Sequence, residues 1–554
     1  MRGSILGTEV RRVEDPELLV GDGSFVDNLA ADPARVGLEE VTHAVFVRSP
    51  VAHARLTSVD TTAALAAPGV VTVLTHADVA DRPVRAFGTA SKDVRRDALA
   101  AGVLRHVGDP IALVVARTRA EAVDAAELVD VDWEPLPVVS GPEAALHDGA
   151  PVVHDELPDN VAIRRRGEGD PLAGAAHVVR ARLENNRLAT APIEGNAILV
   201  APDHGDHRLT AWISTQHPHL ARRNLARWTG LEPDEVRVVA PHVGGAFGGK
   251  AGAMLEHHAV VEAARRTGRP VAWTETRSEA MLSMHGRGQV QYVELGLDDD
   301  GRITGLHARV VGDCGAYAGF GGSFSSGSTR TMAQGPYRIP RLRYDGLSVV
   351  TNTTPVGAFR GAGRPEAAAM LERVLDIAAD ELGLEPEQVR RRNFVRPEDF
   401  PWETHAGATY DSGDYDLPLT EALRIVDVDA VRAEQARRRA AGDPVQLGLG
   451  IASYVEITGF GGTEHGHVEV HEDGSATVRA GTSAHGQGHA TAFSMLAADR
   501  LGIPLERVRF EQSDTTLVPR GGGTGGARSL QMGGQAVSRA DNQWRIIAWR
   551  LGST

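Results

Sequence analysis

The sequence predicts a mixed α/β protein with more than one domain. Three observations carry that class: a length of 554 residues, short β-rich runs that alternate with amphipathic helical stretches, and glycine-rich loops at the ends of those runs. A chain this long exceeds one compact core and has ample apolar surface to bury.

The elements follow in order. Strands are expected at 43–48, 70–75 and 111–116, with a helix over 119–129. This first α/β unit, residues 1–140, ends in the proline-marked "VDWEPLP". Residues 141–185 show no strong periodicity and read as a connecting region. A second α/β region, 186–415, holds a strand at 236–240, a helix over 253–266 and a helix over 366–382. In the last, Met370, Leu371, Val374, Leu375 and Ala378 form one apolar stripe, and Pro365 suits a first helical turn. The third region, 416–554, opens with a charged helix near 431–441. Strands are expected after it at 449–457, 467–471 and 476–480.

Composition excludes several functions. The formal net charge is −15, with no basic face to offset it, which argues against a nucleic-acid partner. Arg165 with Arg166, and Arg390 to Arg392, are short runs that read as solvated faces. No uninterrupted apolar stretch is long enough for a membrane span, and the N-terminus lacks a secretory core. A single cysteine, Cys314, leaves no intramolecular disulfide and no cysteine-ligated cluster within this chain, as suits a cytoplasmic protein. Cys314 itself reads as a small buried residue.

The stretch "VRVVAPHVGGAFGGKAGAMLEHH" poses the functional question. Its Gly244-x-x-x-x-Gly249-Lys250 matches a phosphate loop except at the end, where Ala251 replaces the hydroxyl that would hold Mg²⁺. Phe247 is also bulky for such a turn, and no acidic metal motif follows. A P-loop-like nucleotide-binding protein is the outside alternative. Lys250 is one of only two lysines, with Lys92.

The loop is not alone. "AFRGAGRPEA", "GTSAHGQGHAT" and "PRGGGTGGARSLQMGGQAV" are also glycine-rich. Several such loops suit backbone N–H groups closing on one large polar ligand. Gln216, Gln487 and Arg360 add directional donors.

In this order, "RSPVAHARL", "VGDPIALVVA", "STQHPH", "GGAFGGK", "DCGAY", "AFRGAGRPE", "GQGHAT" and "GTGGARS" resemble the molybdenum-binding large subunits of the xanthine dehydrogenase/aldehyde oxidase family. The resemblance is nearest the carbon monoxide dehydrogenase large chains of form II type. It implies an N-terminal α/β hammerhead-like domain followed by two molybdopterin-binding α/β domains, the last incomplete. The implied cofactor is molybdenum on molybdopterin, in the cytosine dinucleotide form, with the metal held by the pterin dithiolene and not by protein ligands. The implied catalytic residues are Gln216 and Arg360. Cofactor contacts are implied for Gln216, Gly244, Gly245, Phe247, Gly248, Gly249, Arg360, Gly361, Gln487, Gly525, Gly526, Ala527 and Ser529. The reaction implied is hydroxylation of an aldehyde or N-heteroaromatic substrate with oxygen from water. Electrons would pass to a [2Fe–2S] small subunit and an FAD-binding medium subunit, in a dimer of heterotrimers.

Three departures qualify this. The arginine loop, Phe359 to Arg364, lacks the cysteine that holds copper in carbon monoxide dehydrogenases. Ala251 stands where purine hydroxylases carry a glutamate. The glutamate of the family's Gly-Glu motif, its general base, has no match before Thr554. Glu194 and Glu456 sit in family-like contexts but read as structural. A C-terminally truncated, non-catalytic product is therefore the alternative from another class.

Overall fold

In the computed structural model, residues 4–79, 84–85, 94–325, 327–459 and 461–540 are described. Lys92 and the sequence tail 541–554 lie outside them.

The strands expected early in the chain do not form a sheet of their own. Thr42–Arg48, Val70–Leu74 and Pro110–Ala116 join Ala197–His204, His207–Ile213, Val236–Val239 and Val271–Thr274 in one seven-stranded sheet. The seam is the parallel pairing of Thr42–Arg48 with Val271–Thr274. Pro110–Ala116 is buried along its whole length because both faces are covered. Leu113 and Val115 face the helix Leu255–Thr267. Ala112 and Val114 face the helix Arg119–Ala126. That helix starts where Thr118 accepts from the Glu121 amide at 3.2 Å, while the Glu121 carboxylate accepts from the Thr118 amide at 3.0 Å. "VDWEPLP" is not only a terminator, since Asp130–Pro135 pairs with Ala54–Asp60.

A five-stranded sheet follows the order His177–Ala189, His285–Leu297, Ile303–Asp313, Leu342–Val349, Val161–Arg165. Two of its strands come from 141–185, read from sequence as a connector. The signal was weak because the covered face of His177–Ala189 includes the polar Asn185 and Arg187, which break the alternation with the solvated face of Arg180, Arg182 and Glu184. The helix Arg364–Leu382 covers the other face, and its five-residue stripe is buried as expected. The Glu366 carboxylate accepts from the Gly363 N–H at 2.9 Å, and Gly383, at φ 66°, ends the helix.

The third sheet is small: Gly466–Val470, Ala476–Ala480 and Val508–Gln512 under the helix His489–Leu501. The strand expected at 449–457 does not form. The segment is extended, but its backbone partners are buried side chains. Arg390 donates to Ile451 O, Arg364 to Ile457 O, and the Ser453 N–H donates to Glu372. The third region meets the edge strand Val236–Val239 through Ala240 N to Ser513 O at 2.8 Å and Thr515 N to Val238 O at 3.0 Å. Arg237 and Asp514 pair across that join at 2.6 Å. The glycine loops are thereby brought to one place. No helix among the described residues is long and apolar enough to cross a membrane.

Candidate active site

The loop after Val236–Val239 turns through positive φ at Gly245, Phe247 and Gly248. Lys250, which closes it, is 1% exposed, and its Nζ lies 2.7 Å from Glu194 Oε2. The same carboxylate oxygen accepts from the Gly244 N–H at 2.8 Å. A phosphate-loop lysine must reach its nucleotide, whereas this one is sealed against a carboxylate. The nucleotide-binding alternative is thereby disfavoured. Burial lowers the Lys250 pKa, and Glu194 opposes that shift. Glu194 and Gly244 act as the anchor of this loop.

Gln216 sits between two loops that are distant in sequence. Its Oε1 accepts from the Gly248 N–H at 3.0 Å, and its Nε2 donates to Thr524 O at 2.9 Å. Its backbone does the same work, since Gln216 N donates to Lys250 O and Thr524 N donates to Gln216 O. Gly523, at φ 68°, allows this approach: a Cβ there would lie 2.4 Å from Gln216 O. Ser529 joins through Thr524, their hydroxyls 2.8 Å apart. Gly526 O accepts from the Gly459 N–H, while Ala527 turns at φ 55°. Gly525 borders His217, with a Cβ position 3.5 Å from its Nε2.

The arginine loop closes a third side. The Arg360 N–H donates to Phe247 O at 2.8 Å, and a Cβ on Gly248 would lie 2.6 Å from Ala358 O. Arg287 holds this loop from beneath, donating to Phe359 O, to Arg360 O and to Glu366. Ser328 Oγ donates to Ala362 O at 2.5 Å. Gly361 packs on Pro365 and shapes the entry to the helix.

Loop 481–491 is tied in by backbone, with Gly523 N donating to Gly481 O and Ser483 N to Thr524 Oγ1. Among the described residues, the Gln487 side chain bonds only within its own loop, to the His485 N–H at 2.7 Å and the His489 Nε2 at 3.0 Å. Gln216, Gly248, Gly249, Phe247, Arg360 and the 523–529 turn thus form one connected group, with Gln487 on its margin. Glu456 pairs with Arg364 at 3.1 Å, a structural role. Cys314 is fully buried, packed with Val311 and Val349, and burial pushes its thiol pKa up. Sequence reasoning missed Arg287, Thr524 and His217. The flanking glycines of "GRG" at Arg287 were the available signal.

The residues fit a large, anionic, hydrogen-bonding group. Among the described residues, His217 and His485 each bury an Nδ1 with no hydrogen-bond partner. Burial, then His485, Arg528 and Arg223, lower the His217 pKa to about 4, so its imidazole is neutral. Neutral N–H donors and glycine walls suit a pterin whose dithiolene carries its own metal. Among the described residues, no three His, Cys, Asp or Glu side chains are grouped to hold a metal ion.

The comparisons with known proteins agree. Residues 35–137 match the aldehyde oxidase and xanthine dehydrogenase a/b hammerhead domain. Residues 153–394 and 421–548 match two molybdopterin cofactor-binding domains. The chain is 36% identical to the nicotine 6-hydroxylase large subunit of Paenarthrobacter nicotinovorans, over 97% of this chain and 67% of that protein. It is 34% identical to the carbon monoxide dehydrogenase large chain of Hydrogenophaga pseudoflava, over 98% of this chain and 70% of that protein. Quinoline 2-oxidoreductase from Pseudomonas putida 86 superposes with a TM-score of 0.90 at 34% identity, covering 98% of this chain and 70% of that one. Fold and site together define a molybdopterin-dependent oxidoreductase chain. It belongs to the molybdenum-binding large subunits of the xanthine dehydrogenase/aldehyde oxidase family.

Proposed function

We propose that this chain binds molybdopterin cytosine dinucleotide and hydroxylates a ring carbon of an N-heteroaromatic compound, or an aldehyde, with oxygen from water. The observation that carries the reading is Gln216, whose amide spans the 244–250 and 523–529 loops. The molybdenum–pterin group supplies the two-electron oxidation. The protein's part is to hold and enclose it. Gln216, Gly248, Gly249 and Phe247 line one side, Arg360 and Gly361 a second, and Gly525, Gly526, Ala527 and Ser529 a third. Gln487 contacts the nucleotide end. Gly244 and Gly245 set the loop's shape, and neutral His217 offers a donor without adding charge. Preorganised donors of this kind require no rearrangement when charge develops.

Substrate choice rests on the arginine loop. Residues 359–364 contain no thiol, and Cys314 is sealed in a separate apolar cluster. Carbon monoxide is therefore a poor candidate, whereas nicotine- and quinoline-type rings, the substrates in relatives' names, are good ones. Electrons would leave through a [2Fe–2S] small subunit and an FAD medium subunit, in a cytoplasmic dimer of heterotrimers. The proposed division is 1–140 for the hammerhead-like domain and 186–415 and 416–554 for the cofactor domains, with the strands that begin in 141–185 built into the first of these.

The test is to purify the protein from cells that make the cofactor, co-expressed with small and medium subunits. Molybdenum, copper and released cytidine monophosphate are then measured, with dye reduction by quinoline, nicotine, benzaldehyde and carbon monoxide. One molybdenum per chain, no copper, and turnover of a heteroaromatic or aldehyde are expected. Stoichiometric copper with carbon monoxide oxidation would overturn the reading.

A further inference from the structure

Three consecutive arginines, Arg164 to Arg166, close the strand Val161–Arg165. In sequence they read as a solvated face. In the fold, Arg165 and Arg166 line a cavity of about 180 Å³, joined there by Arg330, His405 and Tyr344. The two arginines arrive on a sheet edge, since Arg165 is in register with Gly346 of the neighbouring strand. Arg330 arrives from the short helix Ser328–Met332. Residues far apart in the chain thus contribute three guanidinium groups to one concavity.

What those groups lack is an ion-pair partner. Some surface arginines of this chain are paired, as Arg182 is with Glu143 and Arg432 with Glu387. Among the described residues, Arg165, Arg166 and Arg330 form no ion pair. Among the described residues, the one acceptor of Arg330 is Ala406 O, at 3.1 Å from Nη1. Nearby carboxylates are committed to other cations. Asp345 accepts from His307, Arg343 and the Gly167 N–H, and Glu366 accepts from Arg287 and the Gly363 N–H. Only Glu168 shares the cavity wall. With 73 acidic against 58 basic residues, this chain had acids enough to neutralise the cluster. It leaves the cluster unpaired.

We propose that this cavity binds a tetrahedral oxyanion: inorganic phosphate, or the phosphate of a small phosphorylated ligand. Guanidinium forks match phosphate oxygens two at a time, and three of them offset a dianion better than a single carboxylate. The volume limits the ligand. Drug-sized ligands occupy roughly 300–1,000 Å³, so a phosphate group fits while a whole nucleotide does not. Binding here would also brace the arginine loop, because Ser328, on the same helix as Arg330, holds Ala362 O. The inference stands apart from the molybdopterin reading.

Isothermal titration of the purified protein in chloride buffer, with inorganic phosphate, glycerol phosphate and succinate as probes, tests it. Saturable binding of one phosphate or phosphomonoester per chain is expected, with succinate weaker. Tighter binding of glycerol phosphate than of inorganic phosphate would make the ligand an organic phosphate, and the reverse would make it the free ion. Arg330→Gln should weaken binding by about tenfold or more, the loss of one charge-assisted bond set. Arg165→Gln, at an exposed strand end, should do the same with an unchanged thermal melt, which separates binding from folding. Absence of saturable phosphate binding, or unaltered affinity in well-folded Arg165→Gln, would overturn the proposal, as would preference for succinate.

Discussion

At the residue scale, the same seven residues support opposite functions according to one pairing. Gly244 to Lys250 carries the spacing of a phosphate loop, and the sequence argued against it through Ala251 and Phe247. The deciding contact, Lys250 Nζ to Glu194 Oε2, spans 56 positions and no local pattern shows it. Gln216 was legible because a polar residue in "STQHPH" matched a family motif. Its bridge to Thr524 was not, since 308 residues separate the partners. The buried pair has a measurable weight. Removing one member of such a pair strands the other charge, at a cost of about 3–5 kcal/mol. Lys250→Met should therefore lower unfolding free energy by about 3 kcal/mol, read from a denaturant titration. Adding Glu194→Gln to that variant should recover part of the loss. A cost below about 1 kcal/mol, typical of an exposed pair, would show that water reaches the lysine.

At the element scale, regular structure was read best where one face is apolar and the other polar. The helix Arg364–Leu382 announces itself by its stripe, by Pro365 and by Gly383. His177–Ala189 hid because its covered face carries the polar Asn185 and Arg187, which break the apolar alternation. The extended segment 449–457 misled because alternation is a property of any extended chain with one covered face, whether or not a strand pairs with it. The glycine loops were visible, but which glycine matters was not. Gly248 and Gly523 stand out only in three dimensions, with positive φ and a neighbouring carbonyl oxygen 2.6 Å and 2.4 Å from a would-be Cβ. Gly248→Ala should push Ala358 away and Gly523→Ala should push Gln216 away, each adding the strain of a left-handed alanine, about 1 kcal/mol or more. Both variants should lose molybdenum and pterin fluorescence while retaining their far-ultraviolet circular dichroism. Gly502→Ala, at a helix end with open space around it, is the control and should keep its cofactor. Full cofactor loading in Gly523→Ala would remove the 523–529 turn from the site.

At the scale of the whole molecule, one sheet built from both the N-terminal unit and the second region was beyond local reading, because strand pairing across 229 positions (Thr42 with Val271) leaves no periodic trace. The fold buries several ionisable groups in different regions, and its response to acid follows from them. Burial lowers the pKa of His154, His217, His257 and His489 from 6.5 to about 4 each. In the folded protein these imidazoles stay neutral down to that pH, whereas in the unfolded chain they take up protons from about pH 6.5. The unfolded state therefore binds more protons throughout the window from 6.5 to 4, and stability must fall as the pH falls. The carboxylates add a second step. Glu256, with Arg96 and Arg48 overcoming its burial, and Asp109, with His106 and Arg96 doing so, are held at about 2. Their contribution is present above pH 4.5 and is lost toward pH 2. One pKa unit is worth about 1.4 kcal/mol, so each histidine contributes up to about 3 kcal/mol by pH 4. Two or three such terms rival the whole ~5–15 kcal/mol stability of an ordinary domain. The thermal transition should therefore drop steadily between pH 7 and pH 5, well before Glu256 and Asp109 titrate, with net proton uptake on unfolding. Calorimetry in buffers of different ionisation enthalpy measures both. A transition temperature that stays level down to pH 5 would mean that these imidazoles titrate as if in water, and that the loops around His217 and His489 are open to solvent.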